Sequence, residues 1–450
     1  MKPSYASISL LAVLSAAASP LRAADASPPR ETVEITPGFI DSLVAEAREH
    51  NPALQAAGAR AEASSAAVAA VRTWDDPTAS VGLSAPTARG FKSSEEGNLI
   101  YGVAQKLPLY GRPDLMRKVA ADDASRDRLA AGYETEKLRR DVEVALNNVA
   151  IADREAEAAE EDLAWLDATL AAVDHRYRVG QASQVDWLKI QTARAMATDD
   201  VKTKERERDH STFALNRLLN RDLHAGWPKV ALPSLQPPIY YTAPLVDAAL
   251  AAEPELKVMR QESVSAQAAA DLTRRNRLPD VSIGVEARQY SGDAGFREGS
   301  ATVSFSVPWF NKGRYDNDWR RDQQLKRASE LAAADYALSV RELLHHHVVD
   351  LDAARRQAVL YRDQLLPLTR QTLASAQAAW ERNLGLFQDI LDAHRMLLAD
   401  QLALAHALTD QATLLAEISF LTGSRDLGTV LALAGAPPSD HDGHPPEDSK

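Results

Sequence analysis

Cysteine is absent from this 450-residue chain, so its chemistry must come from eleven histidines and an excess of acids. No disulfide, thiolate metal site or thiol nucleophile is available. Three histidines stand together at His345, His346 and His347. Consecutive helical residues point about 100° apart, so these three cannot close on one ion as a unit. They read as structural or solvated side chains, with only His347 on an apolar seam. A second group, Asp440, His441, Asp442 and His444, lies in the tail "PPSDHDGHPPEDSK". Imidazole and carboxylate there could bind Zn²⁺ or Cu²⁺ weakly, which makes His441 and His444 weak candidates. The same composition equally suits a solvated, disordered segment, so no metal site is assigned. The chain has no H-E-x-x-H, no G-x-S-x-G and no phosphate-binding loop. No catalytic residue and no cofactor is therefore expected, and the reading is of a protein that is not an enzyme. A net charge of -12 argues against a nucleic-acid partner, which needs a basic face.

The elements that carry these residues are built twice. "NPALQAAGARAEASSAAVAAVRTWDDPTASVGLSA", from Asn51, aligns without a gap on "EPELKVMRQESVSAQAAADLTRRNRLPDVSIGVEA", from Glu253. The echo continues in "LPLYGR" against "VPWFNKGR". It recurs in "YRVGQASQVDWL" against "WERNLGLFQDIL", which sets Asp186 over Asp389. Two copies of one unit of about two hundred residues follow. Each copy holds one β-hairpin. Ala79, Val81 and Leu83 alternate with Ser80, Gly82 and Ser84. Val281, Ile283, Val285 and Ala287 alternate with Ser282, Gly284, Glu286 and Arg288, and Ala301, Val303 and Phe305 with Thr302 and Ser304. Such strands have one apolar and one polar face, as in a soluble hairpin or in a membrane barrel. Trp74, Tyr110, Trp309 and Phe310 fall at the strand ends, where aromatics gather at membrane interfaces.

The rest reads as helix. Leu138, Val142, Ala145, Val149, Ala152, Ala156, Ala159, Leu163, Leu166, Leu170, Val173 and Tyr177 form a coiled-coil seam. A helix from near Asp114 to near Val179 would reach about 95 Å. The second copy carries a looser seam through Val340, Leu344, Leu351, Ala354, Tyr361, Leu365 and Leu368. No window is apolar enough for a spanning helix. Residues 1–23 read as a secretory signal, with "SISLLAVLSAAAS" as its apolar core. The expected division continues with an N-terminal linker at 24–36 and a first repeat at 37–227. A Pro-rich linker at 228–244, a second repeat at 245–425 and a mostly disordered tail at 426–450 complete it. Four strands cannot close a membrane barrel, which needs about eight or more, so such a barrel requires several chains.

With this doubled plan, the "NPAL…DP" opening, "LPLYGR", "YRVGQASQVDWLKIQTAR" and "LFQDILDAHRMLL", the chain resembles the TolC family of outer-membrane efflux channels. "NRLLN" and "SFLTG" close its two halves as family repeats do. The resemblance covers about residues 37 to 425. It implies a mainly α fold with a transmembrane β-barrel. In that fold a duplicated helix–hairpin–helix unit gives long coiled-coil helices, which form a trimeric α-barrel tunnel. Each protomer gives four strands to a shared twelve-stranded barrel. The partners implied are two further copies of the chain, outer-membrane lipid, a periplasmic adaptor and an inner-membrane RND-type pump. The adaptor would dock at the helix tips, at Val179 and Gly180 and at Leu384 and Gly385. Asp389 and Asp392 match two acids that ring the closed end of the tunnel in relatives. Asp186 matches an acid of the closing hydrogen-bond network. Three carboxylates around one axis attract cations and repel anions. The plainer reading of all three is as acids at helix starts, favoured by the helix dipole. Some relatives carry an Arg before the second-tip Asp where this chain has Gly385, which leaves the latch open.

"WDDPTASVGLSAPT" and "LPLYGR" look most like the branch serving heavy-metal pumps, the CusC and CzcC types, so heavy-metal efflux is the expected task. Export of organic compounds or drugs, or a type I protein-secretion outlet, would use the same fold. A soluble periplasmic coiled-coil adaptor is the rival of a different class. It would keep the helices but would not need two lipid-facing hairpins with aromatic ends.

Overall fold

A computed structural model describes residues 32–84, 98–290, 295–425 and 427–435. The segment read as a signal and the tail histidines His441 and His444 lie outside the described residues, as does most of the first hairpin's connecting loop. The chain opens with β1 (Thr32–Val33), α1 (Pro37–His50) and α2 (Pro52–Ala70). The first hairpin follows, β2 (Thr78–Ser84) and β3 (Asn98–Lys106), and then the long helices α3 (Arg112–Arg178) and α4 (Gln184–Leu219). After β4 (Lys229–Val230), which pairs in parallel with β1, the order recurs. It gives α5 (Ala243–Ala252), α6 (Pro254–Arg275), β5 (Val281–Tyr290), β6 (Phe296–Phe305) and α7 (Lys312–Leu360). Then come α8 (Leu366–Glu381), α9 (Phe387–Thr422) and α10 (Leu427–Ala434). Helix α10 lies in the stretch that composition assigned to the tail. It is ordered because Val430 and Ala434 bury against the core of the second repeat.

The four long strands form one antiparallel sheet in the order β2-β3-β5-β6. Its register sets Val81 opposite Tyr101, Val103 opposite Val285, and Ile283 opposite Val303. The apolar positions of β2, β5 and β6 therefore fall on one face with Tyr101 and Val103 of β3, while Ile100 and Ala104 lie on the other. Those side chains are bare: Val81 is 78% exposed, Val285 64% and Val303 69%. The other face carries Ser282, Ser304, Glu286 and an Arg288–Glu298 ion pair at 2.9 Å. Glu286 crosses this face close to the Cα of Gly102, where a Cβ would stand 2.8 Å from its Cγ. Among the described residues, strands β2 and β6 each leave one edge unpaired. Trp74, Tyr110, Trp309 and Phe310 are all exposed. They sit where the strands give way to the helices.

Helix α3 runs for 67 residues, about 100 Å. Its seam is buried from Leu138 through Val142, Val149, Ala156 and Leu166 to Val173, but the last position expected in it, Tyr177 near the tip, is 40% exposed. Alanines in this seam let the neighbouring helices approach closely. The looser seam of the second repeat holds through Val340, Leu344, Leu351 and Ala354 and then departs. A π-helical turn at Tyr361–Leu365 inserts an extra residue, so Leu366 and Thr369 face inward and Leu368 is 59% exposed. Pro367 accounts for the turn, because it has no N–H to continue the α-helical ladder.

Candidate functional site at the hairpin tips

Both helical hairpins turn through the same backbone motif. In the first, Gly180 adopts φ 74° and its neighbour Gln181 donates its N–H to Arg176 O at 2.7 Å. In the second, Asn383 takes the left-handed position at φ 59°, and Leu384 donates to Ala379 O at 2.8 Å. These are Schellman turns, which satisfy the last carbonyls of α3 and α8. Val179 and Gly180, with Leu384 and Leu386, stand exposed at the apex. Gly385 sits closer in. A Cβ there would lie 3.0 Å from Ala379 Cβ, so the backbone of the second tip packs tightly against α8.

The acids occupy matching places. Asp186 completes a capping box: Ser183 Oγ accepts the Asp186 N–H at 3.1 Å, while the Asp186 carboxylate accepts the Ser183 N–H at 3.3 Å and its hydroxyl at 2.8 Å. Asp389 keeps half of that arrangement. Its carboxylate accepts the Leu386 N–H at 3.2 Å, and Leu386 has no side-chain acceptor to return. Asp392 lies one turn further on, exposed, with Gln388 Nε2 at 2.8 Å and Arg395 Nη1 at 3.7 Å. Within one chain, then, Asp186 and Asp389 act as helix-start acids, the plainer of the two readings. Asp389 and Asp392 are exposed on α9, beside the buried Phe387, Ile390 and Leu391, whereas Asp186 is half-buried on the same face of α4 as buried Ile190.

The contacts that join the two tips involve other residues. Arg176, at the end of α3, lies over the Trp380 ring at 4.1 Å, donates to Trp380 O at 3.3 Å, and bonds the Asn383 side chain. Deeper in, His394 Nε2 lies 2.7 Å from Asp162 Oδ1, and its ring stacks on Trp165 with centroids 3.6 Å apart. Sequence reasoning missed this set. The only signal available was the pair of aromatics near the tips, Trp165 and Trp380. The His345–His347 run holds no site: His345 meets Tyr241 edge-on, His346 pairs with Asp350 at 3.2 Å, and His347 is half-buried. Burial lowers the pKa of His347. Among the described residues no group of His, Asp or Glu is gathered tightly enough to hold a metal ion.

Comparison with known proteins bears on this architecture. The family model described as outer membrane efflux protein matches residues 43–221 and again 245–424. No curated protein sequence matches the chain. Solved structures with the same fold include the outer membrane protein VceC from Vibrio cholerae. It is 16% identical, with TM-score 0.73 over 86% of this chain and 96% of that one. The CmeC outer membrane channel of Campylobacter jejuni is 13% identical, with TM-score 0.74 over 89% and 90%. CusC, described for its transmembrane channel formation, is 16% identical, with TM-score 0.74 over 86% and 92%. The doubled family match covers most of the chain and agrees with the duplicated element order, the bare apolar sheet face and the long helices. The chain belongs to the outer membrane efflux protein family, as a passive efflux channel of the outer membrane with a helical portion in the periplasm.

Proposed function

We infer that this chain is the exit duct of a tripartite efflux system. Three copies close their sheets into a twelve-stranded barrel in the outer membrane, and their helices continue it as a periplasmic tunnel. The observation that carries this reading is the four-stranded sheet. Its apolar face is bare, both edges are unpaired among the described residues, and it runs directly into long helices, α3 alone reaching about 100 Å. Lipid suits the bare face, and neighbouring copies suit the edges. In this reading residues 1–23 are a removed export signal, and 37–227 and 245–425 are the two repeats. The tips at Val179, Gly180, Leu384 and Gly385 dock a periplasmic adaptor, and an inner-membrane RND-type pump supplies the energy. Asp389 and Asp392 then form acidic rings where the tunnel narrows, with Asp186 bracing the neighbouring helix start.

Heavy-metal cations are the cargo this reading favours, supported by those acids and by the resemblance of the Trp74–Thr87 and Leu107–Arg112 segments. The test is growth of a deletion strain on Cu, Zn, Co, Cd and Ag salts beside dyes, bile salts and antibiotics. Selective metal sensitivity, restored by the intact gene, supports metal export. Sensitivity to organic compounds alone overturns it in favour of drug or general export.

A further inference from the structure

Helices α3 and α9 bring the two hairpins together, and two histidine–carboxylate pairs cross that seam. The first is His394 with Asp162, at 2.7 Å, with side chains only 13% and 20% exposed. The imidazole lies flat on Trp165, the two planes 7° apart. The second is His406 with Glu155, at 3.0 Å. That pair differs in two ways: His406 is half exposed, and Glu155 is already held by Lys204 at 3.1 Å.

We propose that His394 is a proton-responsive clasp that locks the tip of the second hairpin against the first through Asp162 and Trp165. Neutral imidazole gives Asp162 one ordinary hydrogen bond. A protonated ring makes the same contact an ion pair and lays a cation on the indole face, which strengthens the link against the cost of an added N–H on Nδ1, buried without a partner among the described residues. Imidazole is the side chain that changes charge at ordinary pH. Asp162 on α3 and Asp199 and Asp200 on α4 line one cleft of about 720 Å³ with His394, against Arg395 on α9. The facing stretch of α8, Thr372 to Ala379, has no charged residue. Glu161 and Asp167, nearby on α3, are held by Arg154 and Arg194. Of the charges lining the cleft, the ring touches Asp162; the others only share the cleft. His394 follows Asp392 by two residues, so parting the tips must break its contact or carry it along. The clasp tightens when the ring is protonated and relaxes when it is neutral.

The consequence for export rests on the exit-duct reading, but the clasp can be measured without it. The chain has no cysteine, so Lys189→Cys on α4 with Gln371→Cys on α8 gives two clean spin-label positions in the full-length protein. The label-to-label distance distribution is recorded from about pH 8 to about pH 5. The wild type is expected to gain close-packed tips by about three- to tenfold on acidification. His394→Gln keeps a donor for Asp162 but cannot titrate, and should abolish the step at unchanged helix content. His406→Gln should retain it. Trp165→Leu should reduce it. A wild type without the step, or His394→Gln with the step intact, overturns the clasp. A chain that shows the step yet fails to restore growth on any cargo keeps the clasp and removes the exit-duct reading.

Discussion

Arg176 illustrates how much of the tip depends on one side chain. Its guanidinium covers Trp380 and reaches both a carbonyl and the Asn383 amide, so truncation removes a cation–π contact and two hydrogen bonds together. Arg176→Ala is expected to loosen residues 379–386 by about 1–2 kcal/mol. Amide exchange there should quicken by about tenfold, since 1.4 kcal/mol is a factor of ten in an equilibrium. Exchange at the distant α5 should not change. The acids call for a different measurement. If Asp389 and Asp392 ring a common axis, the double change Asp389→Asn with Asp392→Asn alters cation selectivity and weakens block by divalent ions in single-channel recordings. Unchanged selectivity and block would leave Asp389 as a helix-start acid only and Asp392 as a solvated one. What was legible at this scale was local. The alignment of Asp186 on Asp389 appears in the sequence because capping spans three residues. Arg176–Asn383 and Asp162–His394 join residues 207 and 232 positions apart, and only the register between the hairpins brings them together.

Helices and their joins were legible in proportion to their periodicity. The α3 seam followed its heptads from Leu138 to Val173 because nothing interrupts a 67-residue helix, and only Tyr177, its last position, is exposed near the tip. The second repeat departed at Tyr361–Leu365, where one proline was enough to shift the inward face by a residue. The seam gives a direct contrast on α7. Leu344 is fully buried and Leu338 is 59% exposed. Leu344→Ala should cost about 2–5 kcal/mol in denaturant unfolding, while Leu338→Ala should stay within about 0.5 kcal/mol for the single chain. The start of α6 adds a pH dependence. Glu253 caps the Leu256 N–H and faces Tyr336, which donates at 3.0 Å to Glu255. Burial pushes the Glu253 carboxyl above its usual range, and does the same to Glu143 and Glu417. A carboxyl with a raised folded-state pKa holds its proton more tightly when folded. Its contribution is full below the unfolded pKa and declines as pH rises through the folded value. The thermal midpoint should therefore rise as pH is lowered from neutral toward the carboxylate range. Glu253→Gln should flatten that slope by a few degrees, because the amide keeps an acceptor for Leu256 and never ionises. Glu46 has the opposite sign. Its hydrogen bonds to Arg221 lower its pKa, so that contribution disappears at still lower pH.

At the scale of the whole molecule, the sheet decides what the chain can be. A soluble protein does not leave Val81, Val285, Val303 and Phe305 bare on one face of a sheet whose two edges are also open. The alternation was plain in the sequence. Its meaning was not, because a soluble hairpin and a barrel strand share the same period of two. What separates them is the environment of each face, and neighbouring positions on one strand can test it. Val303 lies on the apolar face and Ser304 on the other, paired with Ser282. Strand propensity, distance from the turn and position in the edge strand are nearly the same for both, so a charge placed at either differs mainly in the solvent it meets. If lipid covers the apolar face, Val303→Arg should cost up to about 2–4 kcal/mol, depending on its depth in the bilayer. Its yield in the outer membrane should fall. Ser304→Arg should assemble normally and change conductance or ion selectivity, as a charge in a water-filled lumen does. Equal tolerance of both changes would mean that water bathes both faces, and the barrel would be lost as the explanation of the bare sheet.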